Sequence, residues 1–322
     1  MKPKVSIIIS NRNDISMLAV TVRSCIEELR PVGSGEIIIV DNSDLPIYKV
    51  LPSALPIGYI KDRVLKIYRQ DFPCLFSARQ TAAERATGEY LFCLDSHMLV
   101  GRSTIISLAK FMDRQDNGIG FAHAPINWAH QHESHSRHDR DMSVNELGDW
   151  GLAYDHERTI TWKGMPWMCR RDWFLDNLNG YGALAEHKVS WGGGDMYLGI
   201  KPWLLGFKNW AVPTNPCIHF GPMPNPETKD KKVKEAQLRD KYRLYSASGK
   251  YPHTFGFLVA CYVLGGDPMI ERNKDILSER FSLNVEEWRD KAIEIGQEDK
   301  DWLDERKVMT FEELLERKPW DN

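Results

Sequence analysis

Apolar residues follow two rhythms along this chain. Val5-Ser6-Ile7-Ile8-Ile9-Ser10 is a β-branched run that stops at polar Asn11-Arg12-Asn13-Asp14, as a strand buried on both faces would. The period then lengthens: Met17, Leu18, Val22, Ile26 and Leu29 recur at helical spacing, predicting a helix over 15–30 that ends at Pro31. Residues 36–41 repeat the strand pattern, 64–68 predict a third strand, 76–87 a helix closed by Gly88, and 89–94 a fourth strand that runs into Asp95-Ser96-His97. Strands alternating with helices predict a mostly parallel sheet, which binds its ligands beyond the carboxyl ends of the strands. Asn11, Asp41 and Asp95 all fall at such ends.

The rhythm weakens after a helix predicted over 103–114. Residues 121–158 are rich in His, Asp and Glu with few apolar runs, and read as a long excursion over the surface. Order resumes over 159–170, followed by a helix near 171–178. Trp191-Gly192-Gly193-Gly194-Asp195 opens a helix over 196–205, which Pro202 should bend. A strand-like stretch covers 211–214. From 228 onward the chain is charged and helical by period, most apolar over 255–264 and broken at Gly265-Gly266-Asp267-Pro268.

Charge narrows the function classes. With 42 Lys and Arg against 45 Asp and Glu, the formal balance is −3, which argues against a surface devoted to nucleic acid. No stretch reaches about 18 apolar residues, and the run 5–9 is too short for a signal peptide, so no membrane span and a cytoplasmic location are expected. Six scattered cysteines without a Cys-x-x-Cys pair read as buried, reduced thiols. Aromatic residues reach 11%, enough to ask whether some rings serve as stacking platforms rather than core.

Asp95-Ser96-His97 is the first candidate for chemistry. A carboxylate and an imidazole two positions apart at a strand end project to the same side and can hold one divalent cation, although the same triplet also suits a turn and cap. In this context the chain resembles the GT-A glycosyltransferases of family 2 type. The matching residues are the strand from Val5 to Ser10, Val40-Asp41-Asn42-Ser43, and the block 78–97 that ends in Asp95-Ser96-His97. That block is similar to the polypeptide N-acetylgalactosaminyltransferases, whose motif is also Asp-Ser-His.

The resemblance implies an α/β GT-A catalytic domain over 1–222, a mostly parallel sheet flanked by helices. A helical C-terminal region over 223–322, beyond the resemblance, would serve acceptor binding or oligomerisation. It implies a UDP-sugar donor, UDP-glucose among the candidates, with Asp41 on the uracil, Ser10 along the nucleotide and Arg79 near the uridine and diphosphate. Asp95 and His97 would hold manganese, with magnesium as the alternative; an imidazole ligand favours manganese. A distant histidine completes such sites, and His219 in Cys217-Ile218-His219-Phe220-Gly221 fits that place, although a histidine among apolar neighbours is also an ordinary core residue.

Trp191-Gly192-Gly193-Gly194-Asp195-Met196 looks like the Trp-Gly-Gly-Glu-Asp or Trp-Gly-Gly-Glu-Asn segment of these families, with Trp203 and Gly206 also in register. By that likeness Gly193 and Gly194 border the donor sugar. Asp195 matches the general base of inverting members, where retaining ones carry Asn. Gly194 stands where Glu is usual, which leaves the sugar open. A helix N-terminus favours an ionised carboxylate, so Asp195 could equally be a cap. Trp191 is either an acceptor-stacking platform or core.

His123, His130, His132, His135 and His138 have spacings that tempt a zinc reading, but without cysteine the stretch reads as a loop that folds over donor or acceptor. The basic run from Lys229 to Arg243 reads as a solvated helix face. The expected activity is transfer of a hexose to an acceptor hydroxyl with inversion. Retention at the same metal site and a non-catalytic sugar-nucleotide or glycan-binding module are the alternatives; a nucleotidyltransferase lacks its Gly-rich loop here. The acceptor, whether glycan, protein, lipid-linked sugar or modified DNA, and the oligomeric state are left open.

Overall fold

In the computed structural model the β-branched run becomes β1 (Val5–Asn11), flanked on both sides by parallel strands, β2 (Gly35–Asp41) and β4 (Tyr90–Asp95). Residues 4–49, 51, 65–115, 118–129, 138–139, 157–162, 165–189, 191–220, 250–252, 254–279 and 282–318 are described. The third strand, β3 (Leu65–Arg69), extends the sheet beyond β2. Every side chain of β1 is buried, which is why its sequence lacks the polar alternation of a half-exposed strand. Helices α1 (Ile15–Leu29) and α2 (Leu75–Arg85) fall where the helical spacing placed them. The crossover order arranges the first four strands as β3-β2-β1-β4, and the sheet continues beyond β4 with later strands.

The second half of that sheet differs from the sequence reading. After β5 (Met98–Leu99) and α3 (Thr104–Arg114), residues expected to begin a surface excursion form β6 (Ile119–His123), buried throughout, and β7 (Ile126–Trp128). β6 lies between β11 (Trp167–Arg170) and β12 (Lys208–Ala211), and β9 (Glu157–Thr159) closes the edge. A glycine and a histidine dilute its apolar signal, and its partners lie far along the chain, so its local pattern is weak. β8 (His138–Asp139) and β10 (Thr161–Trp162) pair as a small ribbon. The helix expected near 171–178 is present over 171–177, with Trp173–Asn177 in π-helical form. The strand expected over 211–214 ends at Ala211.

Beyond the short α4 (Gly182–Glu186) and α5 (Gly194–Leu204), β13 (Cys217–His219) lies between β5 and β7 in a three-stranded sheet. The helical C-terminal region comprises α6 (Phe255–Glu279), α7 (Val285–Asp304) and α8 (Phe311–Arg317). The break expected at Gly265-Gly266-Asp267-Pro268 is a kink inside α6, where Gly266 adopts φ 66° and ψ −155°. No helix among the described residues is long and apolar enough to cross a membrane. All six cysteines are buried and free.

Two buried carboxylates join distant parts. Glu36, 3% exposed, accepts from Ser6 Oγ at 2.7 Å, from Thr87 N at 2.6 Å and from Lys66 Nζ at 2.6 Å, tying β1, β2, β3 and the entry to β4. Asp299 on α7 accepts from Lys201 Nζ at 3.0 Å, from Ala183 N at 3.2 Å and from Asn179 Nδ2 at 3.2 Å, and also from the Tyr197 hydroxyl. Lys201 is 0% exposed and Asp299 4%, so neither charge has water as a substitute partner.

Removing one member of that second pair strands the other. Lys201→Met should lower stability by about 3–5 kcal/mol in urea unfolding, and Asp299→Asn added to it should restore part of the loss. Glu36 gives an acid dependence. Burial alone would raise its pKa, but the bonds from Lys66, Ser6 and Thr87 outweigh it and hold the carboxyl below the ordinary value of 4.5. A depressed folded value means the unfolded chain binds more protons, so this stabilisation is complete above about pH 4.5 and fades as pH falls further. Urea midpoints measured from pH 6 to 3 should fall less steeply for Glu36→Gln than for the parent.

Candidate functional site

The carboxyl ends of β1, β2 and β4 place the first site residues side by side. Ser10 is in register with Asp95, and Asn11 with Asp41. β4 then turns through Ser96, whose carbonyl accepts from Thr21 Oγ1 at 2.8 Å, so α1 holds the turn that carries His97. His219 comes from 124 residues beyond Asp95 in sequence. β13 brings it in by pairing His219 with Met98, and Phe220 N donates to His97 O at 2.9 Å.

The result is a tight cluster. One ligand-capable atom from each of Asp95, His97 and His219 lies within 4.8 Å of the others. The two imidazoles meet edge to face with centroids 4.7 Å apart, and His219 Nε2 lies 3.3 Å from Asp95 Oδ2. Arg79, on the inner face of α2 and 5% exposed, donates to Asp95 Oδ1 at 2.6 Å and lies 3.5 Å from the Tyr181 hydroxyl. It is therefore a buried partner of Asp95 rather than a surface salt bridge.

Burial would raise the Asp95 carboxyl, but the His219 bond and the charges of Arg79, His97 and His219 hold it far below the usual carboxylate range. Burial works against a charged His97, yet the bond to Asp14 and the charges of Asp95 and Asp14 raise it above the ordinary histidine value. One ionised oxygen donor and two imidazoles at this spacing can hold a divalent cation.

Asp41 is brought to the same edge but is fully engaged. At 1% exposure it accepts from Asn11 Nδ2, Ser43 N, Ile47 N and Arg69 Nη1 at 3.1–3.3 Å. It shapes the loop after β2. Asp195 lies in the first turn of α5, near enough for its charge to act on Arg79, Tyr181 and Cys93.

The preceding glycines are clamped. Gly193 has φ +75° and lies so close to the N-terminus of α6 that a Cβ would stand 2.6 Å from Gly256 O. At Gly194 a Cβ would drive into the Phe76 ring, which occupies the space where a side chain would begin. Trp191 is partly exposed, its ring edge to face with Phe257 at 6.1 Å. Trp203, in register with the same motif, lies in the core: it is 2% exposed and its indole donates to Thr159 O at 3.0 Å.

Of the histidine-dense stretch, His123 ends a central strand, 2% exposed, its ring nitrogen 3.2 Å from Ala124 O. His130, His132 and His135 lie outside the described residues, as do the side chain of His138 and the basic run 229–243.

Residues 6–170 match the family model of glycosyl transferase family 2, just over half of the 322 residues. The chain belongs to that family. Its fold is GT-A, as in the crystal structure of GalNAc-T7 with UDP, GalNAc and Mn2+ (18% identity, 99% of this chain and 58% of that one, TM-score 0.62). S. aureus TarS 1-349 is a second solved neighbour (12% identity, 99% of this chain and 88% of that one, TM-score 0.53). The chain thus spans little more than half of the GalNAc-T7 chain. No curated protein matches it in sequence. Around the cluster, Asp14, Tyr181 and Phe76 are neighbours that sequence reasoning missed. Asp14 stood out only within the polar stretch that ends the first strand, and nothing local marked the other two.

The Phe76 contact has a measurable consequence. Gly194→Ala should cost about 1–3 kcal/mol in thermal unfolding through overpacking, and the cost should shrink when Phe76→Leu is combined with it.

Proposed function

We propose that this glycosyltransferase moves a hexose from a UDP-sugar, with UDP-glucose among the candidates, to an acceptor hydroxyl with inversion at the anomeric carbon. The observation that carries this reading is the meeting of Asp95, His97 and His219 within 4.8 Å beyond the carboxyl end of β4. The donor set fits manganese better than magnesium, because two of its three atoms are imidazole nitrogens. The GalNAc-T7 crystal contained UDP, GalNAc and Mn2+, which supports a nucleotide-sugar donor. When bound at these three residues, the ion would supply positive charge to the diphosphate as it leaves.

The remaining steps belong to side chains. Arg79 adds a fixed cation beside Asp95 and keeps that carboxylate ionised. Ser10 and the end of β1 lie along the nucleotide, while Asp41 acts at the base end through the loop it holds. Gly193 and Gly194 bring bare backbone to the donor sugar, and Trp191 offers a ring face to the acceptor. Asp195 takes the proton from the acceptor hydroxyl as its oxygen bonds to the anomeric carbon and the bond to UDP breaks. A carboxylate at this position, where retaining relatives carry an amide, supports inversion. In this reading 1–222 is the catalytic domain, and the helical region 223–322 shapes the acceptor side. The acceptor is a hydroxyl on a glycan, protein, lipid-linked sugar or modified DNA.

Incubation with Mn2+ and a panel of nucleotide sugars should give slow release of UDP from one of them, abolished by a chelator and by Asp95→Ala. Asp195→Asn should lower turnover by about 10²–10⁴-fold while Mn2+ binding stays as in the parent. Release from no donor, or release that Asp95→Ala leaves intact, overturns the reading.

A further inference from the structure

Asp14 stands at the N-cap of α1, where an aspartate ordinarily turns its carboxylate onto the free amides of the first turn. Here the backbone caps the helix, with Leu18 N donating to Asp14 O at 3.1 Å, but the side chain makes no cap bond. Its Oδ2 lies instead 3.0 Å from His97 Nδ1, across 83 residues of sequence. A carboxylate turned from its usual local partners toward a distant imidazole forgoes the stabilisation that capping would supply. The compensation lies at the histidine.

We propose that Asp14 is a positioning residue that holds His97 in the tautomer with its proton on Nδ1, leaving the Nε2 lone pair for a divalent cation shared with Asp95 and His219. This deepens the reading above and rests on its metal site. The chemistry is restrictive: an ionised carboxylate only accepts hydrogen bonds, so the nitrogen facing it must carry the proton, and the other nitrogen of a neutral imidazole is then a bare lone pair. The perpendicular packing of His97 against His219 constrains the ring plane, and the bond from Phe220 N to His97 O holds the backbone that carries the ring. Ligating histidines elsewhere are oriented in the same way, by a carboxylate on the second nitrogen, and loss of that partner weakens metal binding about 10–100-fold.

The test uses the full chain with selectively ¹⁵N-labelled histidine, and Asp14→Ser as the variant. Serine is itself a good N-cap, so α1 keeps its start and the fold is protected. Long-range ¹H–¹⁵N correlations in the metal-free protein should show the proton of neutral His97 on Nδ1 in the parent and appreciably on Nε2 in Asp14→Ser. Mn2+ titration followed by electron paramagnetic resonance should show affinity falling about 10–100-fold, with the melting temperature near that of the parent. A parent His97 protonated on Nε2, or an Asp14→Ser protein whose His97 keeps the Nδ1 proton, overturns the proposal. So does an Asp14→Ser protein that binds Mn2+ as tightly as the parent. Should the parent take up no Mn2+, the metal reading fails, and the tautomer measurement still decides the role of Asp14.

Discussion

The site is organised around one constraint: the Asp95 carboxylate sits at the end of a buried strand and must stay charged there. Taking an ionised carboxylate out of water is costly unless cations and donors surround it. Arg79 supplies the nearest, at 2.6 Å, which requires α2 to turn that residue inward against the sheet rather than toward solvent. His219 supplies another at 3.3 Å, which requires β13 to lie between β5 and β7. His97 then needs its own partner, and Asp14 at the start of α1 meets it. Three elements, α2, β13 and α1, are thereby tied to the solvation of one charge. An arrangement of that kind, tuned by neighbours to keep a group ionised, is what a cation-binding centre demands.

A second coupling runs from the helical C-terminal region into the same site. Gly193 touches the backbone of Gly256 at the start of α6, and Phe257 packs against Trp191. On the far side of α5, Lys201 is held by Asp299 of α7. The helix that carries Asp195 is thus gripped near both ends by α6 and α7. These helices share one hydrophobic core with the sheet. Their packing sets where Asp195 lies relative to Arg79, on which its charge acts, because close-packed interiors transmit small displacements.

Particular elements show what was legible in the chain. β1, β2, β4, α1 and the block ending in Asp95-Ser96-His97 were readable because each is a long local pattern, and local periodicity survives without knowledge of the partner. β6 was not, since Ile119-Gly-Phe-Ala-His is short and becomes a central strand only through β11 and β12. The burial of Trp203 was not legible for a related reason: motif register places a residue along a helix but does not tell which face is covered.

The sequence by itself determined the first four strands with the helices between them, the family likeness, and Asp95, His97, His219 and Asp195 as the candidates for chemistry. Those rest on residue types and short spacings, which covalent geometry enforces. Only the tertiary structure decided that Asp14 reaches His97, that Arg79 is spent on Asp95, that Asp41 is fully engaged in its own loop, and that Phe76 fills the space at Gly194. Each of these is a contact between residues far apart in sequence, created by strand pairing and helix packing. Distance along the chain carries no information about such contacts until the core has closed.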